Sequence, residues 1–118
     1  KPVFDVFSFT INPANTARWI KGIQKEETNE WPVKVGSTYR NVNANGKWSV
    51  YVLVKLKDNK MFEMVAEDKN YHVRYTFTPI SETRSQLEYC EWVNTGNIEN
   101  PFSQEILESL KKIMESVN

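Results

Sequence analysis

The chain has 118 residues, 40% of them hydrophobic, and its 15 basic and 15 acidic side chains cancel to a net charge of zero. That length suits one domain, residues 1–118, with a real core, and the composition excludes disorder. The charge balance, with no lysine or arginine run, excludes the electrostatic footprint of a nucleic-acid or anionic-membrane partner, and no uncharged apolar stretch reaches the roughly 18 residues of a membrane span. Cys90 is the only cysteine, which excludes an internal disulfide and a thiolate metal cluster and makes a reducing cytoplasm the compartment that fits. No signal peptide heads the chain, and the start at Lys1, without an initiator methionine, suggests that something has been trimmed.

Val3, Phe4, Val6, Phe7 and Ile11 fit one face of a helix with Pro2 in its first turn, whereas Phe7, Phe9 and Ile11 alternating with Ser8 and Thr10 fit a strand. The helix is the preferred reading. Asn12-Pro13 opens a second, short helix through Trp19 and Ile20, closed by Gly22 as a left-handed cap. Ile23 to Thr28 reads as a short strand, and Asn29, Glu30 and Pro32 mark a loop. Val35 to Arg40 begins the next strand, followed by a hairpin turn at Asn43-Ala44-Asn45-Gly46.

Lys47 to Lys57 is the clearest strand. Trp48, Val50, Val52, Val54 and Leu56 alternate with Lys47, Ser49, Lys55 and Lys57, which predicts the valines inward, with Tyr51 and Leu53 as exceptions on the polar side. After a turn at Asp58-Asn59, Lys60 to Glu67 places Phe62, Met64 and Ala66 on one face. Tyr71 to Thr78 then sets Tyr71, Val73, Tyr75 and Phe77 against His72, Arg74, Thr76 and Thr78, and Arg84 to Val93 is the last strand. Turn signals at intervals of about eight to twelve residues argue an antiparallel meander.

Asn100 to Val117 closes the chain as an amphipathic helix, with Asn100 as cap and Pro101 in the first turn. Ile106, Leu107, Leu110, Ile113, Met114 and Val117 form its apolar stripe, while Gln104, Glu105, Glu108, Lys111, Lys112 and Glu115 take the other side. The expected fold is therefore α+β: a curved antiparallel sheet wrapped around this helix, with short helices at the start.

Val3-Phe4-Asp5-Val6-Phe7, the run from Asn12-Pro13 to Trp19-Ile20-Lys21-Gly22-Ile23, and Val35-Gly36-Ser37-Thr38-Tyr39-Arg40 together resemble the polyketide cyclase/dehydrase branch of the START-like (SRPBCC, Bet v 1-like) superfamily. Tyr75-Thr76-Phe77-Thr78-Pro79 followed by Thr83-Arg84 resembles the late hairpin of that branch, and the final helix completes the pattern. Two departures stand out. The family's first strand is missing or lies before Lys1, which would leave an unpaired sheet edge that invites a homodimer. Glu82 also replaces the usual glycine before Thr-Arg.

The resemblance implies a helix-grip fold whose sheet and terminal helix enclose an apolar cavity for a small hydrophobic molecule, such as a lipid, polyketide or aromatic metabolite. Its candidate lining is Trp19, which would cap one end, Val50, Val52 and Val54, then Phe62, Met64, Val73, Tyr75 and Phe77. Leu87 and Tyr89 follow on the last strand, with Ile106, Leu110, Ile113 and Met114 facing them from the helix. For each of these the plain alternative is core packing. Glu91 shares a face with Leu87 and Tyr89, so a buried carboxylate there could serve acid or base chemistry with Tyr75 or Tyr89, unless it is a solvated strand end.

His72 is the only histidine and is expected on the solvated outer face with Arg74 and Thr76, while Arg18 is expected beside Trp19 at the end of the cavity as a surface charge or salt-bridge partner. Trp31 and Trp48 are candidates to flank an entrance, with core or edge packing as the alternative. No phosphate-cradling loop, nucleophile elbow or metal-ligand cluster is present, so no cofactor is expected. The leading function is ligand binding without strong catalysis. A cyclase or dehydratase using Glu91 and a tyrosine is the second reading. A protein-interaction domain is the third, because a superfamily relative, the activator of the Hsp90 ATPase, binds a chaperone with the same fold.

Overall fold

A computed structural model describes residues 1–98 and 101–116. The first helix, α1 (Val3–Ile11), wins over the alternative strand because Phe7 and Ile11, about one turn apart, both reach the core. The Phe7 ring meets Phe62 and Phe77 edge-on at 6.1 and 5.2 Å. Helix α2 (Pro13–Trp19) starts where expected, the Asn12 side chain accepting from the Ala14 amide at 3.0 Å. Gly22, at φ +91°, then turns the chain into β1 (Ile23–Thr28).

Strands β2 (Thr38–Asn43), β3 (Trp48–Lys57), β4 (Met61–Ala66), β5 (Tyr71–Pro79) and β6 (Ser85–Val93) follow in chain order across one sheet, each antiparallel to its neighbour. This is the expected meander, curled into a half-barrel. Strand β2 begins at Thr38 rather than Val35, because the chain turns at Gly36 (φ +100°) before it pairs. The Gly36 amide already bonds the Leu53 carbonyl there at 2.7 Å. The turn before β6 needs no glycine, since Ile80 and Ser81 amides both bond the Arg84 carbonyl.

The face assignment of β3 is the main correction. Leu53 pairs with Met64 but Lys55 pairs with Glu63, so Val54 is an extra residue and the alternation inverts at this bulge. Before the bulge Tyr51 and Leu53 face the concave side, with Leu53 fully buried, and after it Leu56 does. Val50, Val52 and Val54, expected inward, fall on the outer face and stay half-buried. Val50 pairs there with Arg40, whose guanidinium lies 4.6 Å over the Trp48 ring.

Helix α3 (Gln104–Ser116) starts later than predicted, with Pro101 ahead of it and the Ile106 amide bonding the Ser103 carbonyl at 3.1 Å. The expected cap Asn100 and the stripe residue Val117 lie outside the described residues. Leu110 and Met114 are buried, Ile106, Leu107 and Ile113 pack against the same core, and the six predicted polar positions are all exposed. Sheet, C-terminal helix and short N-terminal helices make the α+β helix-grip fold. Among the described residues no strand precedes α1, and β1 and β6 each have one neighbour.

Candidate functional site

A cavity of about 140 Å³ lies between α2 and the concave side of the sheet. All five tyrosines of the chain line it: Tyr39, Tyr51, Tyr71, Tyr75 and Tyr89. The register explains the gathering, because Tyr39 pairs with Tyr51 across β2 and β3, and Tyr75 with Tyr89 across β5 and β6. Helix α2 adds Trp19 and Thr16, β4 adds Phe62 and Met64, and Phe102, just before α3, closes one side.

The aromatic wall is a closed ring of contacts. Trp19 meets Tyr75 and Phe102 edge-on at 6.4 and 6.0 Å, Phe102 stacks on Tyr89 at 3.7 Å, and Tyr89 meets Tyr75 edge-on at 5.0 Å. Such offset and edge-on geometries suit the ring quadrupoles. The hydroxyls are used unequally. Tyr39 donates to the Ile11 carbonyl at 2.7 Å, tying the end of α1 to β2. Tyr71 and Tyr89 both reach the Glu91 carboxylate, at 3.0 and 3.2 Å. The Tyr75 hydroxyl has no hydrogen-bond partner among the described residues. Burial pushes all five phenols above their ordinary pKa, so they remain protonated donors at neutral pH.

Glu26 is the residue that sequence reasoning missed. It lines the cavity from β1, with Thr16 Oγ1 donating to one carboxylate oxygen at 2.6 Å and Asn41 Nδ2 to the other at 3.1 Å. Loss of solvation raises its pKa, and the two hydrogen bonds only partly pull it back. Its charge adds to the burial that lifts Tyr39, Tyr51 and Tyr75. Strand β1 is short and mostly polar, so alternation gave no reason to single out one of its glutamates.

Glu91 does point inward, but into a set of bonds rather than into the void. Besides the two phenols it accepts the Phe102 amide at 2.9 Å, and it does not border the cavity. Its carboxylate fastens β5, β6 and the approach to α3 together. Of the predicted lining, Trp19, Phe62, Met64, Val73, Tyr75 and Tyr89 border the cavity. Phe77 is buried beside Phe7 instead.

No residue of α3 borders the cavity, which corrects the expectation for Ile106, Leu110, Ile113 and Met114. Helix α2 and Phe102 occupy the position expected of α3, and Leu110 and Met114 border with Leu87 a separate surface groove. Val52 and Val54 are on the outer face. His72 takes the expected outer face but is only half-exposed, stacked flat on Trp92 at 5.0 Å. Arg18 is exposed and lies 5.1 Å over the Phe9 ring. Trp31 and Trp48 are exposed and do not border the cavity. Among the described residues there is no group of His, Cys, Asp and Glu that could hold a metal, and no helix long and apolar enough to cross a membrane.

A curled antiparallel sheet closed by helices over an aromatic cavity defines a helix-grip protein. The family model described as polyketide cyclase / dehydrase and lipid transport matches residues 2–117, and the chain belongs to that family. Solved structures share the fold at low identity. Protein CV1439 from Chromobacterium violaceum is 17% identical with a TM-score of 0.67, covering 97% of this chain and 90% of its own. The Polyketide_cyc-like protein Cgl2372 from Corynebacterium glutamicum is 21% identical with a TM-score of 0.55, covering 98% and 74%. The Aha1 dimer from Colwellia psychrerythraea is 12% identical with a TM-score of 0.57, covering 97% and 81%. No curated protein matches the chain.

Proposed function

We propose that this protein binds a small molecule with a largely apolar, ring-sized body in the tyrosine-lined cavity. The observation that carries the reading is the convergence of all five tyrosines, with Trp19, on one space of about 140 Å³. A core needs apolar residues, but it does not need every tyrosine of the chain to border the same void. An enclosed apolar cavity of roughly 150 Å³ takes up benzene, whereas drug-sized ligands need about 300–1,000 Å³. A space of about 140 Å³ is of single-ring size, which suits the aromatic-metabolite end of the predicted range. The exposed Cys90 suits a reducing cytoplasm.

The test is an NMR titration against a library of single-ring compounds, following the Trp19 indole and the tyrosine ring signals. Saturable shifts confined to these residues are expected. No shift with any compound at millimolar concentration would overturn the proposal.

A catalytic reading draws on one observation, the Glu91 carboxylate within 3.0 and 3.2 Å of two phenols. Against it, the same carboxylate also holds the Phe102 amide and does not border the cavity. Turnover unchanged in Glu91→Gln would remove that reading. The chaperone-binding reading expects a collapsed cavity, so it gains no support from this site.

A further inference from the structure

The cavity is unbalanced in charge. Among the described residues its lining holds one carboxylate, Glu26, and no lysine, arginine or histidine. Two other carboxylates on the sheet, Glu63 and Glu27, are answered by cations: Arg74 pairs with the buried Glu63 at 2.8 Å, and Arg40 and Lys25 pair with Glu27, while Glu91, like Glu26, is held by neutral donors. Glu26 has no ion pair among the described residues, and only the neutral donors Thr16 and Asn41 hold it. A carboxylate has about four acceptor positions, so two protein bonds leave capacity for a ligand.

The walls around this carboxylate are aromatic. A tyrosine or tryptophan face is negative at its centre and attracts a cation, more strongly where water is excluded. Tyr39, Tyr51, Tyr71 and Tyr75 from three strands and Trp19 from α2 border the same space as Glu26. The Glu26 carboxylate favours a positive guest, as does each ring whose face borders the space, and no lysine, arginine or histidine among the described residues borders it.

We infer that the cavity is a binding site for a small organic cation, an alkylated ammonium group, with Glu26 as its counter-charge and the aromatic rings as its walls. This rests on the ligand-binding reading above and narrows it to one class of ligand. The methyl groups supply the apolar body that the aromatic walls accept, and the charge meets the single carboxylate. The space of about 140 Å³ suits a trimethylammonium head group, a guest of about the size of a single ring.

The experiment compares choline with its carbon isostere, in which a tert-butyl group replaces the trimethylammonium group, by calorimetric titration of the wild-type protein and of Glu26→Gln. Choline should bind the wild type about tenfold or more tighter than the isostere, and Glu26→Gln should lose most of that preference while binding the isostere within about twofold of wild type. Isostere affinity in the variant also reports that its cavity is intact. Equal binding of both compounds to the wild type overturns the cation assignment and leaves the cavity reading standing. No binding of either compound overturns the cation assignment, and failure of the ring-compound library as well would remove the cavity reading. A choline preference that survives Glu26→Gln overturns the role of Glu26. Should the variant fail to fold, the wild-type comparison still decides the cation assignment.

Discussion

At Glu26 the chain keeps an ionisable group where solvation is lost and no cation among the described residues compensates. Its folded-state pKa lies above the ordinary value of 4.5. The folded state therefore holds this proton more tightly than the unfolded state, and stability falls as pH rises from about 4.5 through the raised value. Around it Thr16 and Asn41 do not titrate, and Tyr39, Tyr51 and Tyr75 stay protonated, so none of these groups changes charge in that window. Urea denaturation of wild type and Glu26→Gln at a series of pH values should show the variant gaining relative stability toward neutrality. A difference independent of pH would remove this account. Two of the phenols make a paired prediction for the same denaturation measurement: Tyr39→Phe orphans the buried Ile11 carbonyl and should cost about 1–3 kcal/mol, whereas Tyr75→Phe, whose hydroxyl has no hydrogen-bond partner among the described residues, should change stability by less than about 0.5 kcal/mol.

Among the elements, β3 shows how one inserted residue outweighs a hydrophobic pattern. Valines at 50, 52 and 54 read as a core face, but the bulge at Val54 lets Leu53 and Leu56 both turn inward. Leu53→Ala should therefore cost about 2–5 kcal/mol, and Val52→Ala about 1 kcal/mol or less, as measured by urea denaturation. The reverse order would restore the simple alternation. Glu91 acts at this scale too, as the clasp between β6 and the approach to α3. Glu91→Ala should speed hydrogen exchange at the Phe102 amide by tenfold or more, corresponding to roughly 1.4 kcal/mol of lost protection. An unchanged exchange rate would show that α3 is held without it.

Taken whole, the molecule is a half-barrel with two free edges, β1 and β6, among the described residues. Lys1 meets the start of β6, its carbonyl accepting from Ser85 Oγ at 2.8 Å, but no neighbouring strand pairs along β6. Pairing of either edge with a second copy would appear as a concentration-dependent dimer in sedimentation. A monomer at all concentrations would count against that pairing. Much of the architecture was legible from periodicity: the order of strands, the stripe through Leu110 and Met114, and the inward Tyr75 and Tyr89, whereas over Phe7 and Ile11 it fitted both a helix and a strand and the helix was only the preferred reading. Those features depend on local repeat and local turn chemistry, which a linear chain displays directly. The Val54 bulge, the displacement of α3 from the cavity by α2 and Phe102, and the isolation of Glu26 among aromatic rings were decided only in the tertiary structure. Each arises from which surfaces meet across the sheet, and for Glu26 from the absence of any cation among the described residues in the space it borders, a relation between distant residues that no local pattern encodes.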